Sequence, residues 1–317
     1  MELVGVDMAV VERVARVLRR GEHRLESLDV YDKGFYPPPS EEPELTARYF
    51  LVMVAMDHRL SRPGRPYEAC LEDGCYKGSD LLYRLGMVMY SENPELFAPE
   101  RLAEITVEDV KKWLSLGSAA PPDPEVRALL LRDLGVKLTK FYNSSVLRLI
   151  ELSNNRVHGS IEAPGLAENL RVFRAYEDPA EKKTMLLAKF LVARGLFNPT
   201  DDLDVAVDNH LSRIAYRLGL VAVSGPLWSK IREGVEVTAE EDIMLRLAAR
   251  RAYRYVAARS GLKPATIDDF FWIMGRKLCT RDTPPDCEKC LFKGYCRARK
   301  NSAFMVSEHV YYNTWYY

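Results

Sequence analysis

Four cysteines crowd into one short stretch near the end of the chain, and they restrict its fold more than any other feature. They are spaced C-x7-C-x2-C-x5-C within 18 residues: Cys279, Cys287, Cys290 and Cys296. Thiolates packed this closely in a reducing cytosol indicate a bound metal or cluster rather than disulfides. Zinc and a 4Fe–4S cluster both take four cysteines, so the ligand count leaves both open.

Length and charge set the outer bounds. The 317 residues are 47% hydrophobic, which suffices for one large core or two modest ones, and we expect two helical lobes. Forty-five basic and 45 acidic residues give zero net charge, so any basic groove for nucleic acid must be local. Glutamine is absent, which suits a thermophilic host.

The sequence predicts a cytoplasmic protein without a membrane span. Its longest apolar stretches are about ten residues, well short of the ~20 that a spanning helix needs. The first segment, MELVGVDMAVVERVARVLRR, resembles an amphipathic helix more than a signal peptide because acidic residues interrupt it.

Helical periodicity dominates the remainder. Residues Leu211, Ile214, Ala215 and Leu218 follow the spacing of a buried helix face, and Gly219 then predicts a C-terminal cap. One β-hairpin is expected in YEACLEDGCYKG, with Asp73-Gly74 as its turn. We divide the chain into an N-terminal segment, 1–120, a central helical segment, 121–200, and a C-terminal lobe, 201–317. The two later segments are expected to face each other across a cleft.

The context of the cysteines resembles a known family. The stretch FFWIMGRKLCTRDTPPDCEKCLFKGYC is similar to the cluster loop of the endonuclease III family, in which a Trp-containing helix ends in Gly-Arg before C-x6-C-x2-C-x5-C. One extra residue stands in the first interval here, where Pro284-Pro285 could absorb it in a turn. The resemblance implies a 4Fe–4S cluster, with zinc as the alternative. We expect the cluster mainly to hold the C-terminal tail in place.

Charged residues around this loop allow two interpretations. They could meet a phosphate backbone or form a solvated basic surface. These residues are Lys289, Lys293, Arg297, Arg299 and Lys300. The remaining cysteines, Cys70 and Cys75, flank the hairpin turn. We expect buried thiols there, with a disulfide as the alternative.

Two further segments resemble the catalytic regions of helix-hairpin-helix glycosylases. In DLDVAVDNHLSRIAYRLGLV, Asp208 takes the place of the catalytic aspartate of a V-D-T-H pattern. In EKKTMLLAKFLVARG, Lys183 takes the place of the catalytic lysine, with Lys182 as the competing assignment. Breaking an N-glycosidic bond develops oxocarbenium character, which a carboxylate can stabilise, and a neutral lysine could attack C1′.

Structural explanations stand beside these roles. Asp208 could simply cap the following helix, and Lys183 could simply be exposed to solvent at a helix start. His58 and His210 lack metal-ligand spacing, and we interpret both as structural. If Lys183 takes part, we expect hydrolysis without a covalent lysine adduct.

The segment before the lysine departs from the enzymes that act on duplex DNA. They carry a Gly-rich hairpin whose amides grip a phosphate, whereas this chain has YEDPAEKKT. Both glycines are missing and acidic residues stand in their place, so the amide cradle is expected to be absent.

The order of motifs resembles the queuosine-5′-phosphate glycosidase family more broadly, from about residue 50 to the end. Its hairpin pattern corresponds to Tyr76 and Gly78, its Asp-x3-Trp helix to Asp268 and Trp272, and its last residues to Tyr316-Tyr317. This resemblance implies that Tyr76, Gly78, Asp268 and Trp272 bind substrate. Trp272 could instead fill the core, and Asp268 could instead cap its helix.

Together these patterns predict a mainly α, two-lobed, DNA-glycosylase-like fold with a small β-hairpin and a four-cysteine loop. The predicted function is a hydrolase that cleaves the N-glycosidic bond of a modified purine-like nucleoside or nucleotide, such as a 7-deazaguanine. The alternatives are a DNA base-excision glycosylase or lyase of the endonuclease III type, and a non-catalytic nucleic-acid-binding protein. The expected partner is a small nucleoside or nucleotide, with nucleic acid also possible.

Overall fold

The computed structural model describes residues 4–21, 29–62 and 64–317 and is mainly helical. Its strands and α-helices, in chain order, are β1 Val4–Val6, α1 Met8–Arg19, α2 Pro43–Met56, β2 Glu68–Leu71, β3 Gly74–Lys77, α3 Ser79–Glu92, α4 Pro99–Ala103, α5 Val107–Leu114, α6 Pro124–Tyr142, α7 Val146–Glu151, α8 Leu166–Leu170, α9 Lys182–Ala193, α10 Asn209–Leu218, β4 Val221–Val223, α11 Gly225–Glu233, α12 Ala239–Ser260, α13 Pro264–Lys277 and α14 Arg297–Lys300. The predicted mainly helical fold with a small β-hairpin is confirmed.

Two compact units make up the chain. Unit 1 consists of the residues up to 28 together with Asp202–Thr314, and unit 2 of Asp29–Asp201 together with Trp315–Tyr317. This grouping differs from the sequence division at residues 120 and 200. The start of the chain packs on elements that follow far later, and local periodicity cannot reveal such contacts.

Unit 1 begins with a strand that sequence analysis placed within a helix. β1 pairs antiparallel with β4, with Val4 opposite Val223 and Val6 opposite Val221. The helix α1 starts only after Asp7, whose carboxylate accepts hydrogen bonds from the amides of Ala9 and Val10. The prediction of one helix over residues 1–20 was therefore wrong for Val4–Val6, while residues 1–3 lie outside the described part.

The helices of unit 1 share one apolar core. α1 packs against α12, and α10 packs against both α12 and α13. The predicted buried face of α10 is confirmed, since Leu211, Ile214, Ala215 and Leu218 are all buried. Gly219 adopts a left-handed φ of 89° and ends the helix, as its pattern indicated.

A close approach between α10 and α13 requires glycine at position 275. A Cβ atom at Gly275 would lie 2.8 Å from the Cβ of His210 and 3.2 Å from Cδ1 of Ile214. We expect Gly275→Ala to push the helices apart and lower the free energy of unfolding by about 1–3 kcal/mol, the usual range for overpacking. Chemical denaturation measures this loss.

The matched control is Gly294→Ala, because a Cβ atom there would meet nothing within 4 Å. This variant should unfold like the parent protein. Equal stability of the two variants would contradict the tight α10–α13 contact.

Unit 2 is organised around α2, which is buried along most of its length and contacts α3, α6, α7 and α9. Aromatic side chains fill the space beside it. Phe50 stacks on Phe190 with ring centroids 5.0 Å apart, and both Tyr36 and Tyr83 contact Phe190. The middle of α2 therefore packs in a dense aromatic core.

The predicted hairpin is present with a shifted turn. β2 and β3 pair antiparallel, with Leu71 opposite Gly74, so Glu72 and Asp73 form the turn instead of Asp73-Gly74. The same register places Cys70 opposite Cys75, and the two form a disulfide at an exposed position. Our expectation of buried thiols was therefore wrong, because directly opposed residues project to the same face of a hairpin.

In the described ranges, no helix is both long enough and apolar enough to cross a membrane.

Candidate functional site

Asp208 stands at the N-cap of α10 in unit 1. Its Oδ1 atom accepts a hydrogen bond from the amide of Leu211 at 3.0 Å. Within the described residues Oδ2 has no hydrogen-bond partner, and the side chain is only half-buried. One carboxylate oxygen thus caps the helix while the other is available to a ligand.

A half-buried aromatic and basic cluster surrounds His210, two residues after Asp208. The ring of His210 is 6.3 Å from that of Trp272 and meets it edge-on, and the Arg276 guanidinium lies 4.6 Å from the centre of the Trp272 ring. Arg213 donates to Nδ1 of His210 at 3.0 Å. Burial lowers the pKa of His210, with the charges of Arg213 and Arg276 adding to this effect and that of Asp208 opposing it.

Asp268 lies inside α13, one turn before Trp272, and is buried. It does not cap the helix, because α13 begins at Pro264 with Lys263 as its N-cap. The capping alternative for Asp268 was wrong. Trp272 is half-buried and packs against the apolar core of unit 1, so part of its surface contributes to that core.

Lys183 lies in unit 2, in the first turn of α9, and is fully buried. Its Nζ donates to the carbonyl of Ala55 at 2.6 Å and lies 3.2 Å from Nδ1 of His58. Burial lowers the pKa of Lys183 well below its ordinary value, and the charges of Lys182 and Arg127 lower it further. The alternative that Lys183 is simply solvent-exposed was therefore wrong.

Three basic side chains converge on the end of α2. Beside Lys183, the Nζ of Lys182 contacts the carbonyl of Asp57 at 3.0 Å and its Oδ2 at 3.2 Å. The buried guanidinium of Arg127 donates to the carbonyl of His58. Carbonyls at a helix C-terminus lack intrahelical partners and carry partial negative charge, so they stabilise buried cations.

The turn before α9 supplies its own anion. Asp178 accepts hydrogen bonds from the amides of Ala180 and Lys182, each at 3.0 Å. Glu181, between them, has a left-handed φ of 56°. These two amides already bind a carboxylate of the chain and are not available to an external phosphate.

The two predicted binding residues of the hairpin lie in unit 2. Tyr76 is half-buried on β3, with its ring edge-on to Phe35 at 5.6 Å. Gly78 has φ 60° and ψ −127°, a conformation that favours glycine, and it caps α3. Its amide donates to the carbonyl of Tyr67 at 2.8 Å. These contacts explain the two residues structurally, and their binding role stays a prediction.

All four predicted metal ligands line one cavity of unit 1, together with Arg217, Met274 and Lys293. Arg217 donates to Sγ of Cys279 at 3.3 Å. Burial raises the pKa of Cys290 to about 11, with the charges of the other three sulfurs adding to the rise.

Across the described ranges, no three His, Cys, Asp or Glu side chains are arranged to hold a single metal ion. The four cysteines share a cavity and supply four sulfur donors, a set that suits both zinc and a 4Fe–4S cluster.

Cations on the cysteine loop are largely paired within it. Arg299 contacts Glu288 at 2.7 Å and Lys289 contacts Asp286 at 2.9 Å. Arg297 stacks on Phe304, 3.6 Å from the ring centre. These pairs favour the solvated-surface interpretation of the loop over a dedicated phosphate site.

Sequence reasoning missed several residues of both clusters. His58, Asp57 and Arg127 surround the lysines of unit 2, while Arg276 covers Trp272 in unit 1. A feature of the sequence could have indicated Asp57 and His58. They follow the apolar run LVMVAM directly, and an acid and a histidine at the end of a buried helix need polar partners.

Comparison with known proteins bears on the fold alone. No family model matches the chain. No curated protein matches it in sequence either. Among solved structures, an 8-oxoguanine DNA glycosylase from Pyrobaculum aerophilum, complexed with 8-oxoguanosine, is similar with a TM-score of 0.50 and 15% identity over 90% of this chain and 97% of that one.

A trapped covalent intermediate of endonuclease III with DNA is also similar, with a TM-score of 0.48 and 12% identity over 93% of this chain and 96% of that one. This second likeness is too weak to support an argument. The likeness to the 8-oxoguanine DNA glycosylase indicates that the chain has a fold of the DNA-glycosylase kind, as the sequence predicted.

Proposed function

We propose that this protein is an N-glycosylase that releases a damaged base from DNA, using the carboxylate of Asp208. The observation that carries the proposal is the half-buried Asp208, whose Oδ2 makes no hydrogen bond within the described residues while Oδ1 caps α10. A carboxylate held in this way is oriented and partly removed from water. Such a group stabilises positive charge far better than a mobile, solvated one.

The reaction breaks the bond between C1′ and the base nitrogen. The bonding electrons leave with the base, C1′ gains oxocarbenium character, and Oδ2 of Asp208 stabilises that charge until water adds. The base takes up a proton as it leaves. Trp272, with Arg276 against its ring, offers a half-buried aromatic surface on which a base can stack.

A base in duplex DNA reaches such a residue only after it has been flipped out of the stack. The fold likeness to a glycosylase that acts on 8-oxoguanine in DNA supports this substrate class. The endonuclease III-type alternative from sequence analysis is thus preferred over the queuosine-type reading.

One observation favours a free nucleotide as a second candidate substrate. Asp178 occupies two amides at the start of α9, where sequence analysis expected the phosphate grip to be absent. A modified purine-like nucleotide, such as a 7-deazaguanine nucleotide, would not need backbone amides that bind the phosphate of a duplex. Asp268, Tyr76 and Gly78 remain the predicted binding residues for this candidate.

We infer a 4Fe–4S cluster at Cys279, Cys287, Cys290 and Cys296. The shared cavity and the set of four sulfur donors support it, with zinc as the alternative. A cluster bound by four cysteines would hold the C-terminal part of unit 1 in place and leave no open coordination position for substrate.

Parallel assays separate the two candidate substrates. Duplex oligonucleotides with single damaged bases, 8-oxoguanine among them, and free 7-deazaguanine nucleotides are incubated with the enzyme, and released base is measured by mass spectrometry. We expect release from the oligonucleotides. Release from the nucleotides alone would support the second candidate, and release from neither would reject the proposed function.

A further inference from the structure

Exposed arginines follow α1 and the second half of α12 on the surface of unit 1. Neither helix contains a lysine, and α12 has no acidic residue from position 250 to its end. The chain as a whole has 45 basic and 45 acidic residues, so this excess of positive charge is local. What we call the arginine surface consists of Arg13, Arg16, Arg19, Arg20, Arg251, Arg254 and Arg259, all of which are exposed.

The two helices contribute to one continuous surface, because they meet at Arg259. Its guanidinium lies 3.2 Å from the carboxylate of Glu12, and its carbonyl accepts a hydrogen bond from the guanidinium of Arg19. The arginines of each helix extend over seven or eight residues, which rise by about 10–12 Å. This length matches about three base pairs of a DNA duplex.

Few acidic side chains balance these arginines. On α1 the only acidic residue is Glu12, which pairs with Arg259. Arg254 lies 3.5 Å from Asp204, which Arg250 contacts more closely, at 2.7 Å. Within the described part of the chain, four members of the arginine surface form no salt bridge: Arg13, Arg16, Arg20 and Arg251.

The arrangement of like charges opposes helix stability. Arg16 stands three residues after Arg13 and four before Arg20, and like charges at these spacings repel each other. Attraction to the C-terminal end of a helix dipole explains arginines in a last turn, such as Arg16 and Arg259. It does not explain Arg13 or Arg251. Alternating acidic and basic residues would keep the surface in water without this repulsion, so the uniform charge favours an anionic partner.

The side chains present fit a phosphate backbone. Arginine binds phosphate through two parallel N–H donors and is more weakly hydrated than lysine. Exposed Tyr255 lies one helical turn from both Arg251 and Arg259, and a tyrosine hydroxyl can donate to a phosphate oxygen. A basic stripe along a helix is the electrostatic footprint of a nucleic-acid-binding protein.

This stripe of α12 lies on the opposite side of the helix from α10. The hydroxyl of buried Tyr253 donates to the carbonyl of Leu211, in the first turn of α10, at 2.7 Å. Arg251 and Tyr255 are each two residues away from Tyr253, which corresponds to a rotation of about 200° around the helix. They therefore point away from the end of α10 that carries Asp208.

We propose that the arginine surface binds the phosphate backbone of a DNA duplex, at a site separate from Asp208. The segment of duplex bound there is distinct from the segment whose base reaches Asp208. Binding is independent of base sequence, because backbone contacts carry no base information. The inference goes beyond the proposed function and does not depend on base release.

An undamaged, fluorescently labelled duplex tests the surface by anisotropy at several salt concentrations. The surface variant combines Arg13→Gln, Arg16→Gln, Arg20→Gln and Arg251→Gln, since glutamine has a helix propensity close to that of arginine. We expect its affinity to be at least ~10-fold lower than that of the parent protein at low salt. The slope of log K against log salt should fall by about 2–4, because each lost phosphate contact removes about one unit.

Two control variants separate this site from a general effect of charge. The first removes four exposed basic residues of unit 2 through Arg65→Gln, Arg101→Gln, Lys112→Gln and Arg156→Gln, and it should bind the duplex like the parent protein. The second, Glu12→Gln, removes the acidic partner of Arg259 and should bind more tightly. The surface variant should melt at or above the parental temperature, because repulsion between like charges is relieved.

Parental affinity and slope in the surface variant, or an equal loss in the two quadruple variants, would overturn the proposal. Vesicles of phosphatidylcholine and phosphatidylglycerol test a membrane as the partner instead. If the parent protein binds these vesicles through the same arginines but does not bind the duplex, the proposal is also wrong.

Single-turnover base release with saturating enzyme tests whether the site is separate from Asp208. The surface variant should release base from damaged duplex at the parental rate, and a lower rate would contradict a separate site. A parent protein that binds duplex through the arginine surface but releases no base supports this inference and rejects the proposed function. Base release by a protein whose surface variant binds duplex normally does the reverse.

Discussion

Replacing Asp208 by asparagine should leave the protein folded and slow base release by ~10²–10³-fold. Asparagine caps a helix about as well as aspartate, so the hydrogen bond to the amide of Leu211 has a substitute. The charge at Oδ2 is lost, and loss of a preorganised electrostatic group typically costs this factor in rate. Single-turnover release of base, followed by mass spectrometry, measures the effect.

Asp7→Asn is the matched control. Asp7 caps α1 in the same unit and also accepts backbone hydrogen bonds through its carboxylate. Both variants should melt like the parent protein, and only Asp208→Asn should lose activity. If Asp208→Asn releases base at the parental rate, Asp208 is only a helix cap.

Replacing Cys290 by serine should remove most of the bound iron and destabilise unit 1. Protein prepared without oxygen should be brown, with broad absorbance near ~400 nm from a cysteine-bound cluster. Loss of one ligand weakens a group whose binding contributes to folding, and each kcal/mol lost lowers the melting temperature by roughly 2–4 °C in a unit of this size. Iron analysis and calorimetry measure the two effects.

A double variant, Cys70→Ser with Cys75→Ser, controls for the general loss of cysteine. These residues form the hairpin disulfide in unit 2 and lie outside the cavity of the four cysteines. Their replacement should leave the iron content unchanged. Colourless parent protein with one tightly bound zinc, or a Cys290→Ser variant with unchanged iron and melting, would contradict the cluster.

Features encoded within a few residues could be predicted from the sequence. The buried face of α10 and its end at Gly219 depend on local spacing, and both are confirmed. The strand Val4–Val6 could not be recognised, because its partner β4 stands far along the chain. The capping alternative for Asp268 failed because proline at position 264 starts the helix one turn earlier.

The residues of the candidate sites also divide into those indicated by local sequence and those defined by distant contacts. Resemblance to short motifs singled out Asp208 and Lys183, but nothing near Lys183 in sequence indicates that His58 binds it. A turn or a helix cap depends on residues that are close in sequence. The pairing of buried polar groups depends on which helices pack against each other. His58 was therefore assigned a structural role and Trp272 was left ambiguous, although His58 contacts Lys183 and Trp272 contacts His210.

The proposed reaction breaks the bond between a base and its sugar. To test it, excess enzyme is incubated with damaged duplex DNA in ¹⁸O-labelled water, and the released product is identified by mass spectrometry. Cleavage between C1′ and nitrogen predicts a free base without ¹⁸O, because water adds to the sugar. A base that carries ¹⁸O, a product that retains its sugar, or no release at all would contradict the proposed reaction.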